Sequence, residues 1–172
     1  MMTKSGCGLF LLLAVITVQA QEDPVKWSAT GPAGTVQPGK NFTARVSARI
    51  NPGWHIYSIT QGPGGPVPTE ITVPPKQPFV LAGYVVGPLP KSSYDANFEI
   101  ETDSYERNAS FKVPLAVAAK PPAGATAVAI DVRFQVCNDR QCLPAKTVHL
   151  KTPVTIAAAG QPSRGPAEGQ KR

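Results

Sequence analysis

Alternation of apolar and polar residues, repeated in short runs along the chain, most narrows what this sequence can fold into. Val128, Ile130, Val132, Phe134 and Val136 alternate with Ala129, Asp131, Arg133 and Gln135. Phe42, Ala44, Val46, Ala48 and Ile50 alternate in the same way with Thr43, Arg45, Ser47 and Arg49. Successive side chains of a strand point to opposite faces, so these runs make half-buried strands. Further runs cover 54–58, 70–73, 79–86, 98–102, 109–117 and 147–151, and no window shows a helical repeat of apolar residues. Turn residues separate them. Asn51-Pro52-Gly53 ends one run, and the Pro/Gly segment 61–68 cannot join a ladder because its prolines lack an N–H. The pattern predicts an all-β two-sheet sandwich from near Val25 to near Ile156, with Trp54 in its core and His55 and His149 alternating outward to the surface.

The two ends read differently. Residues 1–20 carry one charge, Lys4, then an apolar run over 8–18, and finish in Val18-Gln19-Ala20, the small-x-small pattern of a secretory cleavage site. The run is shorter than the ~20 residues a spanning helix needs. We therefore expect a signal peptide over 1–20, a domain over 21–156 and no transmembrane segment after processing. Residues 157–172 are rich in Ala, Gly and Pro and are expected to form a disordered polar tail. The chain has 17 Lys+Arg and 11 Asp+Glu. Loss of Lys4 leaves a mildly basic +5. Arg164, Lys171 and Arg172 against Glu168 place part of this in the tail, and Arg45, Arg49, Lys112 and Arg133 are scattered outward. No basic stripe forms, which argues against nucleic acid.

Cys7 leaves with the signal, so Cys137 and Cys142 are the two cysteines of the mature chain. Cys137 ends one strand-like run, another follows at 147–151, and 138–141 carries Asn-Asp turn chemistry. Export permits a disulfide. The six-residue ring it would close restricts the unfolded chain by only ~2 kcal/mol on the loop-entropy model, weak stapling for a domain with its own core. Exchange chemistry needs a thiolate. Arg140 favours that form at Cys142, and Asp139 opposes it at Cys137. Leu143-Pro144 keeps the backbone after Cys142 extended and short of a donor. A permanent structural staple remains the alternative. A zinc site is poorly served by this cysteine spacing and two remote histidines. No cofactor or metal motif is present: there is no phosphate loop and no nucleophile elbow. Glu99 and Glu101 would share one face of a strand, a pairing that could serve a hydrolase.

Gly53-Trp54-His55-Ile56-Tyr57, the loop ending in Pro68-Thr69, Tyr94-Asp95-Ala96-Asn97-Phe98 and Cys137-x4-Cys142-Leu143-Pro144 together resemble the N-terminal periplasmic domain of the thiol:disulfide interchange protein DsbD, over about 25–153. The cysteine loop with its Leu-Pro is the most specific part. The resemblance implies an immunoglobulin-like sandwich whose cysteine pair shuttles between dithiol and disulfide in the periplasm or outside the cell. It implies thioredoxin-fold partners as electron donor and clients, among them proteins of cytochrome c biogenesis. By position, Cys142 would be the attacking or attacked sulfur and Cys137 its resolving partner. Phe98, following Asp95, would match a cap over the disulfide, and Tyr57 the aromatic residue beside it. Two departures stand out. The tail replaces the membrane and thioredoxin-like domains of full-length DsbD, so a separate membrane electron-transfer protein would supply electrons. Glu99 stands where relatives commonly have glycine. The competing reading is a non-catalytic immunoglobulin-like binding module with a structural disulfide.

Overall fold

The structure, a computed structural model, describes residues 23–158. The expected signal peptide and the tail from residue 159 onward lie outside the described residues. Among those described there is no helix and there are eleven strands: β1 (Val25–Thr30), β2 (Asn41–Ile50), β3 (His55–Tyr57), β4 (Glu70–Thr72), β5 (Phe79–Leu81), β6 (Lys91–Asp95), β7 (Ile100–Glu106), β8 (Asn108–Val117), β9 (Gly124–Phe134), β10 (Val136–Cys137) and β11 (Lys146–Ile156). They form three antiparallel sheets, ordered β1-β2-β8-β5, β11-β9-β4 and β10-β3-β7-β6. The chain passes from the second of these to the third at Gln135, between β9 and β10, so those two sheets follow one another around the domain.

Period-two patterning explains the core. On β2, Ala44, Val46, Ala48 and Ile50 are buried while Thr43, Arg45 and Arg49 face solvent. Its register with β8 sets Val46 opposite Phe111 and Ala44 opposite Val113, all four buried. β9 contributes Val128, Ile130, Val132 and Phe134 from the other layer. The layers meet through Trp27 of β1, 5.2 Å from the Phe134 ring, and through Tyr105 of β7, edge-on to Phe111 at 5.5 Å. Each such large apolar side chain adds about 1.5–3 kcal/mol on burial, so one continuous core supports the domain independently of the disulfide. Trp54 packs against this core, as expected, and is partly buried.

Several expectations need correction. β1 and β6 are strands that the alternation of the sequence does not predict. The latter, Lys-Ser-Ser-Tyr-Asp, has one large apolar residue, Tyr94, and that one is exposed. It is a strand because it pairs along β7, a cause that lies outside its own sequence. The 98–102 run begins as a strand only at Ile100, and 96–99 is the turn of the β6–β7 hairpin. Glu99 therefore lies in a turn and shares no strand face with Glu101. The 79–86 run stops pairing as β5 at Leu81 and makes one further bridge, Val86 to Lys112. Ala157 belongs to the domain, since it is buried and its N–H bonds Val36 O at 2.9 Å.

Candidate active site around the Cys137–Cys142 disulfide

Cys137 ends β10 and pairs across to His55 of β3, while Tyr57 lies two residues further along β3 on the same face. β3 pairs in turn with β7, and β7 with β6, whose last residue is Asp95. Neighbouring strands of one sheet thus bring Cys137, His55, Tyr57 and Asp95 together, although they are far apart in sequence.

The cysteines are joined as a disulfide across a tight hairpin loop, with Cα atoms 4.1 Å apart. Asn138 builds that loop. Its backbone N–H bonds Gln141 O at 2.9 Å, and its Oδ1 accepts from the N–H groups of Arg140 and Gln141, both at 2.9 Å. This is the local side-chain turn that the Asn-Asp pair foreshadows. The two sulfurs are unequal: Cys137 is 0% exposed, whereas Cys142 is only half-buried. Beyond Cys142, Leu143 N–H bonds Val136 O at 2.9 Å. Gln135 ties in the Pro/Gly loop: its Oε1 accepts from Val67 N–H at 3.0 Å and its Nε2 donates, at a long 3.5 Å, to Leu143 O. Arg140 is exposed on the loop and forms no salt bridge with a carboxylate among the described residues.

Tyr57 is fully buried beside the disulfide. Its hydroxyl donates to Asp95 Oδ2 at 2.6 Å and lies 3.2 Å from His55 Nε2 and 4.0 Å from Cys142 Sγ. Burial, followed by the hydrogen bond to Asp95 and that carboxylate's charge, pushes the phenol well above its ordinary range, so it stays protonated. Burial alone would raise the Asp95 carboxyl. The hydrogen bonds from Tyr57 and Asn97, together with nearby His55, outweigh it and hold the group below the usual carboxylate value. The result is a buried, charged carboxylate with its acceptors filled: Oδ2 by Tyr57, Oδ1 by Asn97 N–H at 2.8 Å.

Phe98 sits on the β6–β7 turn, half-buried and edge-on to Tyr57 with ring centroids 5.9 Å apart. Asn97 beside it donates through Nδ2 to Asn138 O at 3.0 Å, linking this turn to the cysteine loop. The N–H groups of Phe98 and Glu99 both point at Asp95 O, at 3.3 and 2.8 Å. To close the turn Glu99 takes φ 57°, a left-handed conformation that costs a residue with a Cβ about 1–2 kcal/mol. This is the physical reason a glycine suits that position.

Of the residues expected at the site, the structure brings together Cys137, Cys142, Tyr57, Asp95 and Phe98, and leaves Arg140 on the loop surface. Three others belong there and were not anticipated. His55, expected at the surface, is 19% exposed in its side chain and has its Nε2 3.6 Å from Asp95 Oδ2. It lies edge-on to Tyr57 at 5.2 Å and lines the polar cavities beside the cluster, and its spacing of two from Tyr57 is the signal that places both on one face. His149, by contrast, is exposed as expected and pairs with Asp131 at 2.8 Å. Asn97 lies inside the Tyr-Asp-x-Asn-Phe motif but had no assigned contact. Gln135 gave no signal at all, because its partners are remote in sequence. A polar cavity of about 240 Å³ opens beside the cluster, walled by His55, Asp95, Asn97, Ser104 and Asp139 among others. Among the described residues no group of His, Cys, Asp and Glu is arranged to hold a metal ion, and no helix is long and apolar enough to cross a membrane.

An immunoglobulin-like sandwich that carries a disulfide at the end of a sheet strand, one sulfur sealed and the other half-accessible, has the architecture of a thiol-disulfide exchange domain. The chain belongs to the family described as thiol:disulfide interchange protein DsbD, N-terminal, which matches residues 24–153. Among solved structures it is similar to the DsbD N-terminal domain of Neisseria meningitidis in the reduced form, at 15% identity and a TM-score of 0.44 over 76% of this chain and 84% of that one. It is also similar to the N-terminal periplasmic domain of ScsB from Proteus mirabilis, at 18% identity and a TM-score of 0.47, over 74% of this chain and 44% of that one. A comparison with curated protein sequences finds no match.

Proposed function

We propose that this domain passes electron pairs between thioredoxin-fold proteins in the periplasm or outside the cell, through Cys142 and Cys137. The observation that carries the reading is the unequal exposure of the two sulfurs beside a polar cluster. In the accepting half-reaction, a thiolate of a reduced partner attacks Cys142 Sγ and the Cys137–Cys142 bond breaks. Cys137 leaves as a thiolate and takes up a proton. The partner's second thiolate then attacks its own sulfur in the mixed disulfide and releases Cys142. Two electrons have moved: the partner holds a disulfide and this domain a dithiol. In the delivering half-reaction Cys142 attacks a client disulfide, and Cys137 attacks Cys142 Sγ to free the reduced client. Burial of Cys137 suits it to this second, intramolecular role, where only Cys142 need be reached. The 96–99 turn, with Phe98 on Tyr57 and Asn97 on the cysteine loop, acts as a cap that a docking partner displaces. A separate membrane electron-transfer protein would keep the donor reduced.

Mixing the reduced domain with an oxidised thioredoxin-fold protein tests this. Two alkylatable thiols should disappear here for every two that appear on the partner. Retention of both thiols while the partner remains oxidised, with the equilibrium favouring transfer, would reject the reading.

A further inference from the structure

Exchange at Cys142 leaves His55 unused, although it is the titratable side chain that touches both members of the Tyr57–Asp95 pair. We propose that His55 is a positioning residue for the exchange site: its charge decides whether the Tyr57 hydroxyl points at Asp95 or at Cys142. The proposal rests on the exchange reading and concerns how the sulfur is activated.

A phenol has one hydrogen to give and lone pairs to receive. With the disulfide intact, that hydrogen lies on Asp95 Oδ2 at 2.6 Å, so the 4.0 Å approach to Cys142 Sγ carries no donated hydrogen. After reduction the same arrangement favours the Cys142 thiol, which can donate S–H to the phenol oxygen. A Cys142 thiolate instead needs a donor, and Tyr57 can supply it only if Asp95 gives up its claim. His55 Nε2 stands 3.6 Å from Asp95 Oδ2 and 3.2 Å from the phenol oxygen. A protonated imidazole can move the short distance to the carboxylate, satisfy it, and free the Tyr57 hydrogen to turn onto the sulfur. Neutral His55 leaves Tyr57 committed to Asp95.

Other charged groups surround His55, and each belongs to a different element. Glu106 of β7 is its register partner, itself paired to Lys91 of β6 at 3.1 Å. Asp139 of the cysteine loop shares cavity walls with it on two sides, and Arg107 lines one of these. Lys91, Glu106, Arg107 and Asp139 all keep solvent-exposed surface and are screened, whereas Asp95 is buried in contact with Tyr57. The coupling between His55 and Cys142 therefore runs through the Asp95–Tyr57 pair.

The test is the alkylation rate of Cys142 in the Cys137→Ser chain from pH 5 to pH 9, followed at the Cys142 peptide by mass spectrometry. An isolated thiol gains thiolate tenfold per pH unit. The proposal expects a shallower rise while His55 titrates, because the sulfur loses its favoured state as the imidazole loses its proton. His55→Phe should restore the single, full-slope rise and react about three- to tenfold more slowly at pH 6, the effect of half to one unit in the thiol pKa. His55→Gln keeps an N–H near Tyr57 but cannot titrate, so it should also rise in a single step. It carries the test alone if His55→Phe does not fold. His149→Gln, on the exposed histidine, should match the parent. Identical profiles for the parent and His55→Gln would overturn the proposal. Because no partner takes part, this outcome is separate from a failure of exchange, which would show as a wild-type pair that resists reduction.

Discussion

Replacing Phe98 and Asn97 together with alanine should speed reduction of the disulfide by a small dithiol between about fivefold and about 150-fold. Two contacts hold the 96–99 turn over the site: the edge-on ring pair of Phe98 and Tyr57 at 5.9 Å, and the Asn97 hydrogen bond to Asn138 O at 3.0 Å. An aromatic pair of this kind contributes about 0.5–1.5 kcal/mol beyond its buried area. A neutral hydrogen bond contributes a similar amount net. Together they hold the closed state by about 1–3 kcal/mol, which is the expected gain in open population when both are lost. The single variants should each recover part of it. Neither residue is in the main core, so the unfolding midpoint should move little. Stopped-flow reduction at a fixed dithiol concentration reads the effect. Equal rates in the parent and the double variant would show that the turn does not limit access.

Cys137→Ser should accumulate a stable mixed disulfide with a thioredoxin-fold protein whose second active-site cysteine is serine and whose first carries an aromatic thiol as leaving group, whereas Cys142→Ser should accumulate almost none. The asymmetry follows from burial. In Cys137→Ser the surviving sulfur is the half-exposed one, and with Cys137 and the partner's second cysteine both replaced no thiol remains to resolve the adduct. In Cys142→Ser the surviving sulfur is 0% exposed and lies on a strand paired to β3. A partner would have to part that pairing to reach it. Non-reducing gel analysis after acid quenching measures the two yields. Equal trapping through both sulfurs would remove the distinction between attacking and resolving cysteines. The domain should fold in both variants, since its core is continuous without the ~2 kcal/mol restriction that so short a ring supplies.

The strands that alternate cleanly were legible before the structure. β2, β8 and β9 each bury one face against the core, so their patterns reflect the physics that forms them. β6 was not legible, because a polar edge strand owes its existence to its neighbour β7. The cysteine loop was legible for a local reason: Asn138 makes its turn with groups two and three residues away. The rest of the site depended on register. Tyr57 meets Asp95 because β3, β7 and β6 lie side by side, and no spacing in the sequence encodes that arrangement. The motif resemblance supplied it instead, bringing Tyr57, Asp95 and Phe98 forward as neighbours of the pair. It could not supply His55, whose side chain alternates away from the apolar core yet lies against Tyr57 and Asp95. Arg140, two residues from Cys142 in sequence, is exposed on the loop, and the side chain set 4.0 Å from the sulfur is Tyr57, with Asp95 behind it.

The central claim is that Cys137 and Cys142 form an exchanging pair, and the reduction potential of that pair in the purified domain tests it most directly. Samples equilibrated in graded thiol buffers and then alkylated give the ratio of dithiol to disulfide. An exchange pair should fall between roughly −270 and −120 mV, within reach of thioredoxin-fold donors and clients. A value well below about −300 mV would contradict the account, make the disulfide a permanent staple, and leave the domain as a binding module.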